Sequence, residues 1–157
     1  MKERVYIETS VISYLCSRPS RDLIAAAMQE VTREWWEDRT RYELFVSQFV
    51  WAEIEEGDQD AAAKRQAAVQ GIPILTANKA SEALARELMR QAKLPRVVSA
   101  DVAHVAISAV QGMDYLLTWN CAHIANPHWL RKISSIVTAC GYVMPVVCTP
   151  QALREGV

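Results

Sequence analysis

The chain has 157 residues, 51% of them hydrophobic, which suits a single domain spanning 1–157 with a substantial core. Lysine and arginine number 17 against 18 acids, so the net charge of -1 provides no global field for nucleic acid, and any polyanion must be held by local groups. Cys16, Cys121, Cys140 and Cys148 form no Cys-x-x-Cys pair, the N-terminus lacks a secretory pattern, and no apolar run is long enough to cross a bilayer, so a reduced, cytoplasmic, non-membrane protein is expected.

In chain order, residues 4–7 read as a short strand whose apolar run Val5-Tyr6-Ile7 stops at Glu8-Thr9-Ser10. A carboxylate at the end of a buried strand stands where open α/β sheets bind ligands, and Glu8 is therefore the first candidate site residue. Residues 9–16 have helical spacing, which Arg18-Pro19-Ser20-Arg21 breaks. Over 22–38, Ile24, Ala27, Met28, Val31 and Trp35 predict an amphipathic helix with one buried stripe.

Residues 42–46 read as a second strand, and Ser47 as the N-cap of a helix carrying Phe49, Val50, Glu53 and Ile54, with Gly57 as its stop. An alanine-rich helix is expected over 59–69, a short extended piece over 71–76 and a helix over 81–92. The next helix, over 101–110, carries Val102, Val105, Ala106 and Ala109 on one side. A strand follows over 115–118, with Trp119-Asn120 at its end. Asn126-Pro127 opens a last helix running to about residue 140, and 145–148 is a final strand. Alternating strands and helices predict a three-layer α/β/α architecture with a central, mainly parallel sheet.

The acids sort by geometry, because a helix advances by about 100° per residue. Glu53 projects into the apolar arc of Phe49, Val50 and Ile54, where a carboxylate needs a cation or a shell of donors; an arginine reached by a half-exposed Glu53 is the plainer alternative. Asp101 at a helix start reads on its own as a cap, and Asn120 on its own as a turn residue. Together, Glu8, Glu53, Asp101 and Asn120 are oxygen-bearing groups that could meet at one edge of one sheet and bind a hard divalent cation.

These stretches resemble the PIN-domain ribonucleases, the family that includes the VapC-like toxins of bacterial toxin–antitoxin pairs. The resemblance covers nearly the whole chain: Ile7-Glu8-Thr9-Ser10, the segment from Ser47 to Glu53, the run from Asp101 through His104, Leu117-Thr118-Trp119-Asn120, and the closing Val147-Cys148-Thr149-Pro150. The family usually has aspartate where this chain has Glu8 and Asn120. The longer Glu8 moves its carboxylate outward, and Asn120 leaves three formal negative charges instead of four.

The resemblance implies a ribonuclease that hydrolyses phosphodiesters with Mg²⁺ or Mn²⁺, the ion being held by Glu8, Glu53 and Asp101, directly or through water. Thr9, Ser10 and Thr118 would contact the substrate, and Asn120 would orient a water. It also implies a small antitoxin as partner, received on the apolar surface of the early helices, and homodimers, which are common in the family. His104, one turn beyond Asp101, and His123, near Asn120, are assigned as structural polar residues, with proton transfer or phosphate contact as the alternative. Arg18, Arg21, Arg96 and Trp119 are the candidates for gripping RNA, whereas Trp35, Trp36, Trp51 and Trp129 are assigned to packing. The rival reading is a PIN fold that binds nucleic acid or protein without cleaving. A response-regulator receiver is disfavoured because it would want paired acids after the first strand, where Glu8 stands alone.

Overall fold

In the computed structural model, which describes residues 1–154, five strands form one all-parallel sheet ordered β3-β2-β1-β4-β5. β1 (Arg4–Ile7) lies at its centre, between β2 (Glu43–Ser47) and β4 (Tyr115–Leu117), with β3 (Ile74–Leu75) and β5 (Val146–Cys148) at the edges. Val5, Tyr6 and Ile7 are wholly buried, as a central strand covered on both faces requires. The sheet continues past the strand ends: Glu8 N–H donates to Leu117 O at 3.0 Å, and Thr118 N–H to Cys148 O at 2.9 Å.

The helices are α1 (Thr9–Cys16), α2 (Leu23–Glu37), α3 (Gln48–Ile54), α4 (Gln59–Val69), α5 (Lys79–Gln91), α6 (Ser99–Val110), α7 (Pro127–Ala139) and α8 (Pro150–Arg154). Local chemistry sets their starts. Ser47 Oγ accepts the amides of Phe49 and Val50, Asp22 caps α2, Asp58 caps α4, Asn78 and Ser81 form a capping box on α5, and Asn126 caps α7 with Pro127 in its first turn. Gly57 follows α3 at φ +83, a conformation open to glycine.

Four expectations are corrected. β2 starts at Glu43, because Tyr42 N–H is taken by Arg39 O in a 3₁₀ turn. The helix expected from residue 101 starts at Ser99, so Asp101 lies inside its first turn. α7 is not the last helix: Thr149 caps α8, which packs on α2 through an Arg154–Glu34 ion pair.

The fourth concerns α2. Its buried line is Gln29, Thr32 and Trp35, turned by roughly a quarter of a revolution from the apolar stripe, so that Ile24 and Ala27 are exposed and Met28 and Val31 half-buried. Buried Gln29 explains the rotation, since its amide donates to Ser17 Oγ (2.7 Å) and Arg18 O (2.8 Å) and accepts from Ser20 N–H (2.9 Å), tying down the loop before the helix.

Candidate functional site at the carboxyl edge of the sheet

Glu8 leaves β1 and turns back over the start of α1. Its Oε2 accepts Ser10 N–H at 3.1 Å, and its Oε1 accepts the hydroxyls of Ser10 and Thr118, each at 2.5 Å. Those hydroxyl oxygens in turn accept the amides of Trp119 (2.8 Å) and Asn120 (2.9 Å). Glu8, 5% exposed, therefore caps α1 and stitches it to the exit of β4. Helix capping thus gives this acid a structural role beside its place as a candidate site residue.

Glu53 reaches the same edge from α3, immediately after β2. Its Oε1 receives Thr9 Oγ1 at 3.2 Å and His104 Nε2 at 2.5 Å, and its side chain is 35% exposed. The hydrogen-bonding shell is supplied by a histidine and a threonine, with no arginine in it. Behind His104, Nδ1 lies 2.6 Å from Tyr6 OH, which lies 2.7 Å from Ser47 Oγ. The sense of this chain follows from its ends. Ser47 Oγ already accepts two amides, so its hydrogen points to Tyr6; Tyr6 then donates to Nδ1, which leaves the ring hydrogen on Nε2 to donate to Glu53. Burial, followed by the charges of Glu8 and Glu53, holds the Tyr6 phenol well above its ordinary range against the opposing Ser47 hydrogen bond, so Tyr6 remains a donor.

Asp101, 19% exposed, forms the third corner. Its Oδ1 accepts Asn120 Nδ2–H at 3.0 Å, and its Oδ2 accepts His123 Nδ1–H at 2.9 Å. Asn120 Oδ1 accepts His123 N–H at 3.1 Å, which fixes the orientation of the amide. Glu8, Thr9, Ser10, Glu53, Asp101, Thr118 and Asn120 thus share one hydrogen-bonded edge beyond the carboxyl ends of three adjacent strands.

Among the described residues no three His, Cys, Asp or Glu side chains already converge on a single point as a finished metal cage. The donor set nevertheless suits a hard ion held largely through water. A carboxylate has about four acceptor positions, and the hydrogen bonds leave capacity on Glu8 Oε2, Glu53 Oε2 and both Asp101 oxygens.

Tyr6, and the direct contacts of His104 and His123 with the acids, were missed in the sequence. The available signal was a tyrosine in a wholly buried run, whose hydroxyl must find a partner. Arg18, Arg21 and Arg96 are exposed. Trp119 is no free stacking platform: its indole N–H donates to Thr32 Oγ1 at 2.8 Å and its ring meets Tyr14 edge-on. Of the helical tryptophans only Trp35 is fully buried; Trp36, Trp51 and Trp129 are partly exposed while packing against the core.

The sequence matches no protein-family model and no curated protein. Among solved structures, the fold matches a chain from the crystal structure of VapBC2 from Rickettsia felis bound to a DNA fragment from its promoter, with a TM-score of 0.59 over 93% of this chain and 98% of that one. This is a VapC-like PIN fold. At 12% identity the likeness is one of architecture, and in this PIN fold the carboxylate edge lies where parallel sheets present ligands.

Proposed function

We propose that the chain is a metal-dependent endoribonuclease, a phosphodiester hydrolase acting in the cytoplasm as the toxin of a toxin–antitoxin pair. The observation that carries this reading is the meeting of Glu8, Glu53 and Asp101 in one hydrogen-bonded edge of a PIN fold. Glu53 and Asp101, with Glu8 Oε2 behind them, would hold Mg²⁺ or Mn²⁺ mostly through water, the manner in which small hard cations usually bind. When bound, such an ion supplies charge neutralisation at the phosphate and a water of lowered pKa.

The protein's own contribution is orientation. The Ser47–Tyr6–His104 chain pins Glu53 by one oxygen and leaves the other free, and Asn120 and His123 hold Asp101 between them. Thr9 and Ser10, half-buried at that edge, are the proposed phosphate contacts; the expectation that Thr118 meets substrate is corrected, because Thr118 is wholly buried with its hydroxyl donating to Glu8 and accepting the Asn120 amide. The proposed partner is a small antitoxin. The face of α2 fits one, since Leu23, Ile24, Ala27, Met28, Val31 and Trp119 line an apolar groove of about 460 Å³. Size-exclusion chromatography decides whether the chain acts as a homodimer.

The test is cleavage of labelled single-stranded and structured RNA with Mn²⁺ or Mg²⁺, together with calorimetric titration of Mn²⁺. Cleavage that requires the metal, with both cleavage and Mn²⁺ heat lost in Asp101→Asn and Glu53→Gln, is expected. No cleavage by the wild type and no Mn²⁺ heat would overturn the reading in favour of a PIN fold that binds without cutting. That alternative is favoured by a specific feature, the three hydrogen bonds already covering Glu8.

A further inference from the structure

Charge is unevenly distributed along this chain. From Tyr115 to Arg154 there is no Asp or Glu, although the whole chain holds 18. Of the basic residues in that stretch, Arg154 pairs with Glu34 and His123 with Asp101, whereas among the described residues Arg131 and Lys132 have no carboxylate partner. Both are exposed on α7, whose opposite side buries Ile133 and Val137. A solvated helix face ordinarily mixes charges of both signs; this one carries a single sign.

His128, Arg131, Lys132 and Ser135 follow the spacing that places side chains on one helical face, and with Pro127 they line an open hollow of about 730 Å³. A second hollow of about 450 Å³ shares Lys132 and Ser135 and adds Lys93 from beyond the end of α5. The strip starts where the carboxylate edge ends. Ala125 N–H donates to Asn120 O at 2.8 Å and Asn126 N–H to His123 O at 3.0 Å, while Asn126 Oδ1 caps α7 by accepting His128 N–H at 3.0 Å. Arg131 follows that cap by roughly 7–8 Å along the helix axis.

The geometry points to this α7 face as the seat of the substrate's phosphate backbone, a track for single-stranded RNA leading away from the Asp101–His123 corner. Arg131 offers a planar fork of donors suited to a phosphate, and Lys132 and Lys93 add compact charges beside it. In a chain of net charge -1 a polyanion can be held only where positive charge is locally uncompensated, and this face adjoins the reactive edge. The apolar α2 groove, by contrast, is suited to a protein. The inference rests on the ribonuclease reading and names where that substrate lies.

It is tested by anisotropy of a fluorescein-labelled single-stranded RNA in EDTA, across a series of salt concentrations, so that neither metal nor cleavage enters the measurement. The double variant Arg131→Gln/Lys132→Gln is compared with Arg33→Gln/Arg86→Gln, which removes equal charge elsewhere. Loss of two phosphate contacts weakens binding by about tenfold and lowers the slope of log K against log salt by about 1.4, at about 0.7 per contact for a single strand. The control double changes affinity less than about twofold.

Equal weakening in both doubles would show an effect of net charge alone and overturn the assignment. Unchanged binding in the α7 double, with the wild type still binding, would overturn it too and leave the face to a protein partner. A wild type that binds no RNA would bring down the ribonuclease reading itself, an outcome distinct from the other two. Both pairs are surface changes, and coincident thermal melts establish that the variants are folded.

Discussion

Replacing Glu8 with glutamine tests whether this acid acts as the structural link between α1 and β4. The carboxylate accepts three hydrogen bonds, from Ser10 N–H, Ser10 Oγ and Thr118 Oγ1, and is almost wholly buried. Glutamine has one acceptor oxygen. If that oxygen keeps the two hydroxyls, its amide hydrogens face Ser10 N–H and the N-cap is lost, which costs about 1 kcal/mol. The two surviving bonds fall from charge-assisted to neutral, a loss of about 0.5–1 kcal/mol each. The sum is about 2–3 kcal/mol, and at about 2–4 °C per kcal/mol for a domain of this length the melting temperature drops by roughly 4–12 °C. Urea unfolding followed by circular dichroism, with thermal melts alongside, measures both quantities. A Glu8→Gln protein within about 0.5 kcal/mol of wild type would refute the stitching role, because no rearrangement within this buried set restores three acceptor positions.

Tyr6→Phe removes the hydroxyl between Ser47 and His104, leaving a buried ring nitrogen without its donor, and is expected to cost about 1–3 kcal/mol at neutral pH. It should also change the alkaline limb of the stability curve. The folded phenol is held above its unfolded value, so as pH rises past about 10 the unfolded chain releases a proton that the folded chain keeps, and stability falls by up to about 1.4 kcal/mol per pH unit. That contribution is absent from Tyr6→Phe, while the other raised phenols and thiols, Cys16, Tyr42, Tyr115 and Cys148, act equally in both proteins; parallel slopes in urea unfolding between about pH 9 and about pH 11 would contradict the buried relay. Burial pushes the Cys148 thiol up to about 11, so at pH 8 only about one molecule in a thousand is thiolate there. Iodoacetamide followed by peptide mass spectrometry is expected to label exposed Cys121 well before Cys148, and the reverse order would contradict the burial of β5.

Much of the molecule was legible along the chain because its signals are local. The alanine-rich run predicts a helix over roughly 59–69, where α4 lies, and the Ser47 and Asn126 caps are visible because a short polar side chain before an apolar helical pattern has little else to do there. The errors fall where a side chain answers to something distant. The stripe from Ile24 to Val31 has the periodicity of a buried face, yet α2 is rotated so that Gln29 can hold the preceding loop and Thr32 can receive Trp119. Periodicity reports which residues share a face and is silent on which neighbour that face meets. The close of the chain was misread for a different reason: Thr149-Pro150 is a helix start, but the helix it opens is too short to show a period.

The sequence by itself determined the order of strands and helices, the parallel α/β class and the set of acids, because apolar periodicity and capping depend on residues a few positions apart. Tertiary structure alone decided what each acid touches. Glu8 meets Thr118 across 110 positions and Glu53 meets His104 across 51, distances that only the crossovers of the parallel sheet close. The physical reason is that a buried carboxylate is tolerable only where donors converge on it, and convergence belongs to the packed sheet, since no single segment carries both a carboxylate and all of its donors.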